Sequence, residues 1–553
     1  MKRFMLIFVV AVTIVYSGCA SGSESGGAAA QTTGNNSVAS EQNENEDYRV
    51  LSFLGPDSTN PFIKFGDREE YATWHELMRL FSERGLAPEF EVVPHDQYLT
   101  TIQTRLASAT NLPDFMQISS LDLSTVMNLV SQGMILSVTD IIEGYSDGTA
   151  KNFYETGKGV HSRLLNTAED GHMYWISQIQ MTTFAGELAS TSMGMTIRKD
   201  WLDKVNLPMP ATAEEFRQAL IAFRENDVNG NGLEDEVLVS SFTGFYTGIA
   251  QWFGLVGELS SFIIEEGVVT SPWYQPGARA YFEYLNQLVQ DNVLDVAIVG
   301  NTTGDMQGQR VAENRAAALY TYTMQTWEEP ATGDPDALYL QVHPTVGTAG
   351  ITPVLAIEPP RLSFGRWIFT RELTDFEAAG RLLDLLSGEE YEILTQWGIE
   401  GDTYEWVDGE RQLMDMGLSL NWEQAAQQRI AIGDILYANG FMFMKRRFVP
   451  MENEINVVPE AKAQSQLNLF GYSPTTPLGT THYFPVMTQA QVERRLELIT
   501  DLNTRSTELM AQLILGHAPL ENWDSYIAEL EALGLAEIIA IDQTVLDRYL
   551  NFQ

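Results

Sequence analysis

Asp227 to Glu236 reads DVNGNGLEDE, with four carboxylates, two asparagines and two glycines in ten residues. Asp227, Asn229 and Asn231 stand at alternate positions, Gly232 permits a sharp turn, and the Leu233 carbonyl follows. This is the opening of an EF-hand type loop, whose hard cation takes about six to eight oxygens in flexible geometry. The pattern then departs. Leu238 stands at the twelfth position, where a bidentate Glu belongs, while Asp235 and Glu236 stand at the ninth and tenth. On spacing alone two readings stay open. One is a calcium cage made by Asp227, Asn229, Asn231, the Leu233 carbonyl, Asp235 and Glu236. The other is an Asx-rich turn satisfied by its own backbone.

Other chemistry is hard to find. The seven histidines are scattered, and no H-E-x-x-H, G-x-S-x-G, Walker A or dinucleotide glycine loop occurs. The competing class is a calcium-dependent polysaccharide-active enzyme. Carboxylates are so plentiful that nominating a general acid and base pair carries no information. Cys19 is the single cysteine, so no disulfide framework exists.

Cys19 follows Lys2, Arg3, a short apolar run and the small residues Ser17 and Gly18. That arrangement reads as a lipoprotein signal over residues 1–18, although Tyr16 departs from the usual leucine-like residue. Residues 19–47 are then the lipidated Cys19 and a tether of Gly, Ser, Asn and Glu, too polar to bury a core. The expected location is the outer face of the cell membrane or the periplasm, held by lipid. The balance of 33 basic against 74 acidic residues argues against nucleic acid as a partner.

The acidic loop sits within alternating elements. Arg49–Leu54, Glu89–Val93, Pro113–Ile118 and Val237–Val239 read as strands. Tyr71–Arg84, with Trp74, Leu77, Met78 and Phe81 on one face, Gln97–Ser108 and Ala213–Glu225 read as helices. Thr212 and Thr488 are N-cap candidates. Such βαβα order predicts an α/β fold with parallel strands, in more than one domain at this length.

The stretch Thr196–Ser240 around the loop resembles the signature region of family 1 extracellular solute-binding lipoproteins, which serve ATP-driven sugar importers. The alginate-binding proteins are close cousins. Asn111–Ser119, Gly365–Gly409 with its Gly-Ile-Glu-Gly-x-x-Tyr core, and Ile514–Tyr549 resemble three further blocks of that family in order. The resemblance implies a two-lobed, periplasmic-binding-protein-like α/β fold, with a ligand cleft between the lobes and C-terminal helices packing across. It implies a first lobe beginning with 48–166, a second lobe over 167–352 with the calcium loop at 227–236, and a return over 353–553. It also implies that the loop holds a structural calcium ion.

Sugars offer a polar edge and an apolar face, so aromatic rings and polar groups are the candidates for the cleft. These are Trp252, Trp327, Trp367, Trp397, Tyr322 and Tyr404, with Arg366 beside Trp367 in the family-like block and Asn60 and Asp114 at or just after strand-like segments. Tyr404 and Glu400 fit a buried scaffold equally well. The expected function is capture of an oligosaccharide by a lipid-anchored monomer, which closes by a hinge and delivers its ligand to an ABC permease. No bond is made or broken. The alternative is a lipid-anchored receptor for a peptide or other polar solute that signals to a sensor.

Overall fold

The computed structural model describes residues 48–550 apart from 58–64, 181–182, 185–186, 189–192, 240–247, 256–261, 266, 300–304, 323–330, 343–349, 355–360, 415–445, 448–460 and 463–486. Residues 1–47, and with them Cys19, lie outside the described residues.

The chain begins with β1 (Arg49–Pro56), α1 (Ala72–Glu83), β2 (Leu86–Val93), α2 (His95–Ser108) and β3 (Phe115–Gln117). Four helices follow, α3 (Leu123–Ser131), α4 (Val138–Tyr145), α5 (Thr149–Glu155) and α6 (Val160–Asn166), and then β4 (Ile176–Gln180). A short hairpin, β5 (Thr183–Phe184) and β6 (Glu187–Leu188), leads to β7 (Met193–Arg198), α7 (Lys199–Lys204), α8 (Ala213–Glu225) and β8 (Val237–Val239). Next come β9 (Ile263–Glu265), β10 (Val268–Thr270), α9 (Ala278–Gln290), α10 (Asp305–Ala312), β11 (Ala316–Tyr322) and β12 (Tyr339–Gln341). The chain returns through β13 (Arg361–Phe369), α11 (Phe376–Ser387), α12 (Glu389–Gln396), β14 (Tyr404–Val407), β15 (Glu410–Leu413) and β16 (Arg446–Arg447). It ends with α13 (Gln489–Ile514), α14 (Trp523–Ala532) and α15 (Leu535–Leu550).

Two sheets organise these elements. The first has the order β16-β4-β13-β3-β1-β2 and the second β12-β7-β11-β8. In the first, β1 pairs in parallel with β2 and β3, while β13 returns antiparallel between β3 and β4. In the second, β7 is antiparallel to β11 and β12, and β8 is parallel to β11. The first sheet takes in β4, so the chain leaves it after Gln180, not at Asn166. The segment ISQIQ is short and half polar, yet Ile176, Ser177, Gln178 and Ile179 are all buried against β13.

Local sequence explains most boundaries. Strand β2 begins at Leu86, ahead of the expected Glu89, because it pairs with the full length of β1 from Arg49 onward. Helix α1 buries Trp74, Leu77, Leu80 and Phe81, with Met78 at the rim. The Thr212 hydroxyl accepts from the Glu215 N–H at 3.1 Å and caps α8. Thr488 and Gln491 form a reciprocal capping box at the start of α13.

The C-terminal helices bridge the two halves. Helix α13 packs against α9 beside the second sheet and against α3 beside the first. Three ion pairs tie it to α14 and α15: Arg505–Glu529 at 2.7 Å, Arg494–Glu537 at 2.7 Å and Arg495–Asp542 at 2.9 Å. Among the described residues no helix is long and apolar enough to cross a membrane.

Candidate functional site

The acidic loop joins the end of α8 to β8. Asp227 adopts φ 45° and Gly232 φ 81°, a left-handed conformation that suits glycine and short polar side chains. Asn229 Oδ1 accepts from the Asn231 N–H at 3.0 Å, and Asn231 Oδ1 accepts from the Leu233 N–H at 2.8 Å. Asp227 Oδ2 accepts from the Gly232 N–H at 2.9 Å. The loop is therefore wrapped with its side-chain oxygens inward, and the Leu233 side chain is exposed.

Two features go beyond a self-satisfied turn. Asp227 Oδ1 is buried and has no hydrogen-bond partner. Glu236 has no exposed surface, and backbone N–H groups reach its carboxylate: those of Asn229 and Asp235 at 3.2 Å each, and its own. Burial pushes the Glu236 carboxyl above its ordinary value despite those backbone bonds. An orphaned acid oxygen and a buried carboxylate without a cation partner among the described residues, both in one loop, fit a hard divalent cation with oxygen ligands. Among the described residues no three His, Cys, Asp or Glu side chains converge closely enough to hold a metal by themselves. A cation would therefore need Asn229, Asn231 and the Leu233 carbonyl as well. It would also compete with Arg315, whose Nε pairs with Asp235 Oδ2 at 2.8 Å.

The support for this loop comes from far along the chain and was not legible in the sequence. Asn229 Nδ2 donates to the Asn314 carbonyl at 3.1 Å. Asn314 Oδ1 accepts from Arg198 Nη1 at 2.6 Å. Arg198 is wholly buried, pairs with Asp200 and Asp334 at 2.7 Å each, and lies 4.2 Å over the Trp201 ring. Burial alone would lower its pKa, but Asp200 and the Tyr339 hydroxyl hold it above the ordinary arginine value.

The cleft candidates separate into three groups. Asn60 and Trp327 lie outside the described residues, and of Tyr322 only the backbone is described, paired with Met193 at the end of β11. Trp252 and Trp367 are core side chains, 1% and 0% exposed. Trp252 meets Phe216 edge-on at 4.9 Å, and Trp367 stacks on Phe115 at 5.2 Å. Neither ring has a free face for a sugar in this conformation. Asp114 stands at the amino end of β3, opposite the carboxyl end where open α/β sheets present ligand groups, because β3 starts only at Phe115. Its carboxylate accepts from the Ser52 N–H at 2.8 Å and the Ser52 hydroxyl at 2.7 Å, which locks β1 to β3. Arg366 donates to the Leu121 carbonyl at 3.1 Å and lies 5.8 Å over Trp175, its pKa lowered by burial.

Trp397 and Tyr404 are brought together at 6.1 Å. The turn between them is held by Thr403, whose hydroxyl donates to the Trp397 carbonyl at 2.5 Å and accepts from the Ile399 N–H at 2.7 Å. A side chain at Gly398 (φ 81°) would stand 2.3 Å from that hydroxyl, which is why the turn takes glycine. Tyr404 is scaffold here. Trp397 borders a cavity of about 770 Å³ on the flank of the first lobe.

No protein-family model matches the chain. A curated relative, the fructooligosaccharide ABC transporter substrate-binding protein FusA of Streptococcus pneumoniae serotype 4, is 22% identical over 453 residues, 80% of this chain and 81% of FusA. Lipoprotein LipO of Bacillus subtilis strain 168 is 24% identical over 281 residues, 47% of this chain and 52% of LipO. Among solved structures, FusA in complex with kestose matches 91% of this chain and 100% of its own, with TM-score 0.68 and 19% identity. FusA has also been solved as an EF-hand mutant with fructo-nystose, at TM-score 0.66 over 91% of this chain and 100% of that one, with 19% identity. The alginate-binding protein AlgQ2, solved without calcium ion, matches 91% of this chain and 98% of its own at TM-score 0.66 and 16% identity. The chain has the two-lobed α/β fold of the solute-binding proteins, and the curated relative that spans four-fifths of it is an ABC transporter substrate-binding protein.

Proposed function

We propose that this chain is the solute-binding subunit of an ABC importer and that its solute is an oligosaccharide. The observation that carries the reading is the fold shared over 91% of the chain with a protein solved around kestose. That protein is also a sequence relative along 80% of the chain. The ligand sits between the lobes, a hinge motion encloses it, and the closed form docks on a permease that releases it inward. The chain supplies binding and shape; bond chemistry has no part.

Calcium belongs to the loop 227–236. Asp227, Asn229, Asn231, the Leu233 carbonyl, Asp235 and Glu236 would hold it, and the orphaned Asp227 Oδ1 together with the buried Glu236 supports this. Its part is structural, since the loop is roped to the sheet through Asn314 and Arg198. Cys19 carries the lipid, residues 20–47 form the tether, and the monomer works at the outer face of the membrane. The lipid keeps it close to its permease and raises the effective concentration.

The test is thermal unfolding of the purified protein against a panel of mono- and oligosaccharides, with product analysis. A ligand that binds only the folded form raises the melting temperature by mass action. A shift by oligosaccharides without cleavage supports the reading. Shifts from peptides alone sink the carbohydrate assignment, and cleavage of a saccharide sinks the reading as a whole.

A further inference from the structure

The cavity beside Trp397 is built from three separate pieces of the first lobe. Helix α5 and the turn after it supply Asn152, Phe153 and Lys158. The α11–α12 junction supplies Ser387, Glu389 and Glu392, and β15 supplies Arg411. None of its lining residues lies at the carboxyl ends of β1 or β3 or in the second sheet. It is therefore distinct from the strand ends that face an interlobe cleft.

We propose that this cavity is a second saccharide pocket, sized for one or two sugar residues and selective for neutral sugars. Its volume of about 770 Å³ falls within the usual range for small-molecule sites, about 300–1,000 Å³. Two polar atoms of its wall, Ser387 Oγ and Arg411 Nε, are buried without a hydrogen-bond partner. Ser387 is 7% exposed, and an unmade bond on such a group is a standing cost that a polar ligand would relieve. Arg411 makes no ion pair among the described residues, in a chain with 74 acidic side chains. Its guanidinium rests 4.7 Å over Trp406 and 5.9 Å over Tyr404, a stacking that fixes its plane and leaves its donors unspent.

The remaining charges set the ligand class. Lys158 is neutralised by its ion pair with Glu392. Asp147, just ahead of α5, accepts from the Thr149 N–H at 2.9 Å, a bond that leaves its negative charge in place. Among the described residues that leaves Arg411 as a lining cation outside an ion pair, with Glu389 and Asp147 as lining carboxylates outside one. An anionic sugar would gain Arg411 and be repelled by Glu389 and Asp147. A neutral sugar hydroxyl, at once donor and acceptor, can serve the cation and the carboxylates alike. Phe153 and Trp397 supply apolar walls for the CH face of a sugar ring. The saccharide class is in keeping with the function proposed above, while the pocket itself stands on its own residues.

The experiment is calorimetric titration of the purified protein with sucrose, maltose and cellobiose, with digalacturonate as the charged contrast. It is run on wild type, Asn152→Trp, which fills the cavity from an exposed position, and Arg411→Gln, which removes the cation. The expected result is a neutral-disaccharide component that Asn152→Trp abolishes and Arg411→Gln weakens by about tenfold, the worth of a charge-assisted hydrogen bond. Digalacturonate gives no such component. A wild type with no component sensitive to Asn152→Trp overturns the proposal, as does a component shared equally by digalacturonate. Ligand held in the interlobe cleft is indifferent to both variants. Failure of the cleft reading therefore shows separately, as the loss of the variant-insensitive component. Should Asn152→Trp melt early, Thr149→Trp blocks the same cavity from one turn earlier on α5.

Discussion

Asn229 Nδ2 donates to the Asn314 carbonyl at 3.1 Å, joining the acidic loop to the turn ahead of β11 across 85 residues of chain. Asn314 in turn holds Arg198 at 2.6 Å. The loop, the turn and the strand that ends at Tyr322 form one mechanical unit. An ion in the loop would brace the second sheet as well as ten residues of surface.

Calcium is therefore expected to raise the melting temperature of the protein, and chelator to lower it. At a hundred times its Kd a ligand of the folded form contributes about 2.7 kcal/mol. Asp227→Ala should abolish the calcium response by removing the orphaned oxygen. A melting temperature indifferent to chelator would return DVNGNGLEDE to a polar turn.

Arg198→Leu leaves Asp200 and Asp334 facing each other in a buried site without their cation. Breaking such a pair costs about 3–5 kcal/mol. Chemical denaturation should show that loss, and Arg198→Lys should recover only part of it, because an ammonium cannot fork to both acids and Asn314. A loss below about 1 kcal/mol would show that the network is solvated.

Trp252 separates the core reading from the ligand reading. Its ring is 1% exposed and packed edge-on to Phe216. Trp252→Ala should cost about 3–5 kcal/mol of stability. Trp252→Phe should leave saccharide affinity unchanged. A tenfold fall in affinity with unaltered stability would restore Trp252 to the cleft.

Gly380 is where α11 crosses α4. A methyl group there would stand 2.3 Å from the Tyr145 carbonyl oxygen. Gly380→Ala should destabilise by about 1–3 kcal/mol, the usual cost of overpacking, despite alanine's better helix propensity. A stabilised variant would mean that the two helices separate without cost.

Acid stability should depend on Asp375. Burial would raise its pKa, but the Ala378 N–H and the Arg49 guanidinium, 2.8 Å away, hold it below the ordinary carboxylate value. Its folded pKa lies below its unfolded one. The contribution is thus present above the ordinary carboxylate pKa and is lost as pH falls through the lower folded value. Asp384 and Asp542, both raised by burial, act in the opposite sense. The clean measurement is the stability difference between wild type and Asp375→Asn against pH. It should be constant near neutrality and shrink in acid. A difference that grows on acidification contradicts the assignment.

Local pattern was enough for much of this protein. The stripe of α1, the caps at Thr212 and Thr488, the parallel start β1-α1-β2-α2-β3 and the inward-wrapped oxygens of residues 227–236 all rest on interactions within a few residues, which spacing encodes. Tertiary structure alone decided the rest. Trp252, Trp367 and Trp397 look alike in sequence, yet two are core and one borders a cavity. Which face of an aromatic ring stays open depends on partners such as Phe216 and Phe115, far away in the chain. Asp114 was legible as a carboxylate beside a strand, but the register with β1 placed it at the amino end and bound it to Ser52. The chain crosses to the second sheet after β4, a boundary set by pairing with β13, which follows almost two hundred residues later. Arg198, Asn314 and the pocket of Ser387 and Arg411 had no local signal at all. Buried charge and unmet hydrogen bonds arise only when distant segments exclude water together.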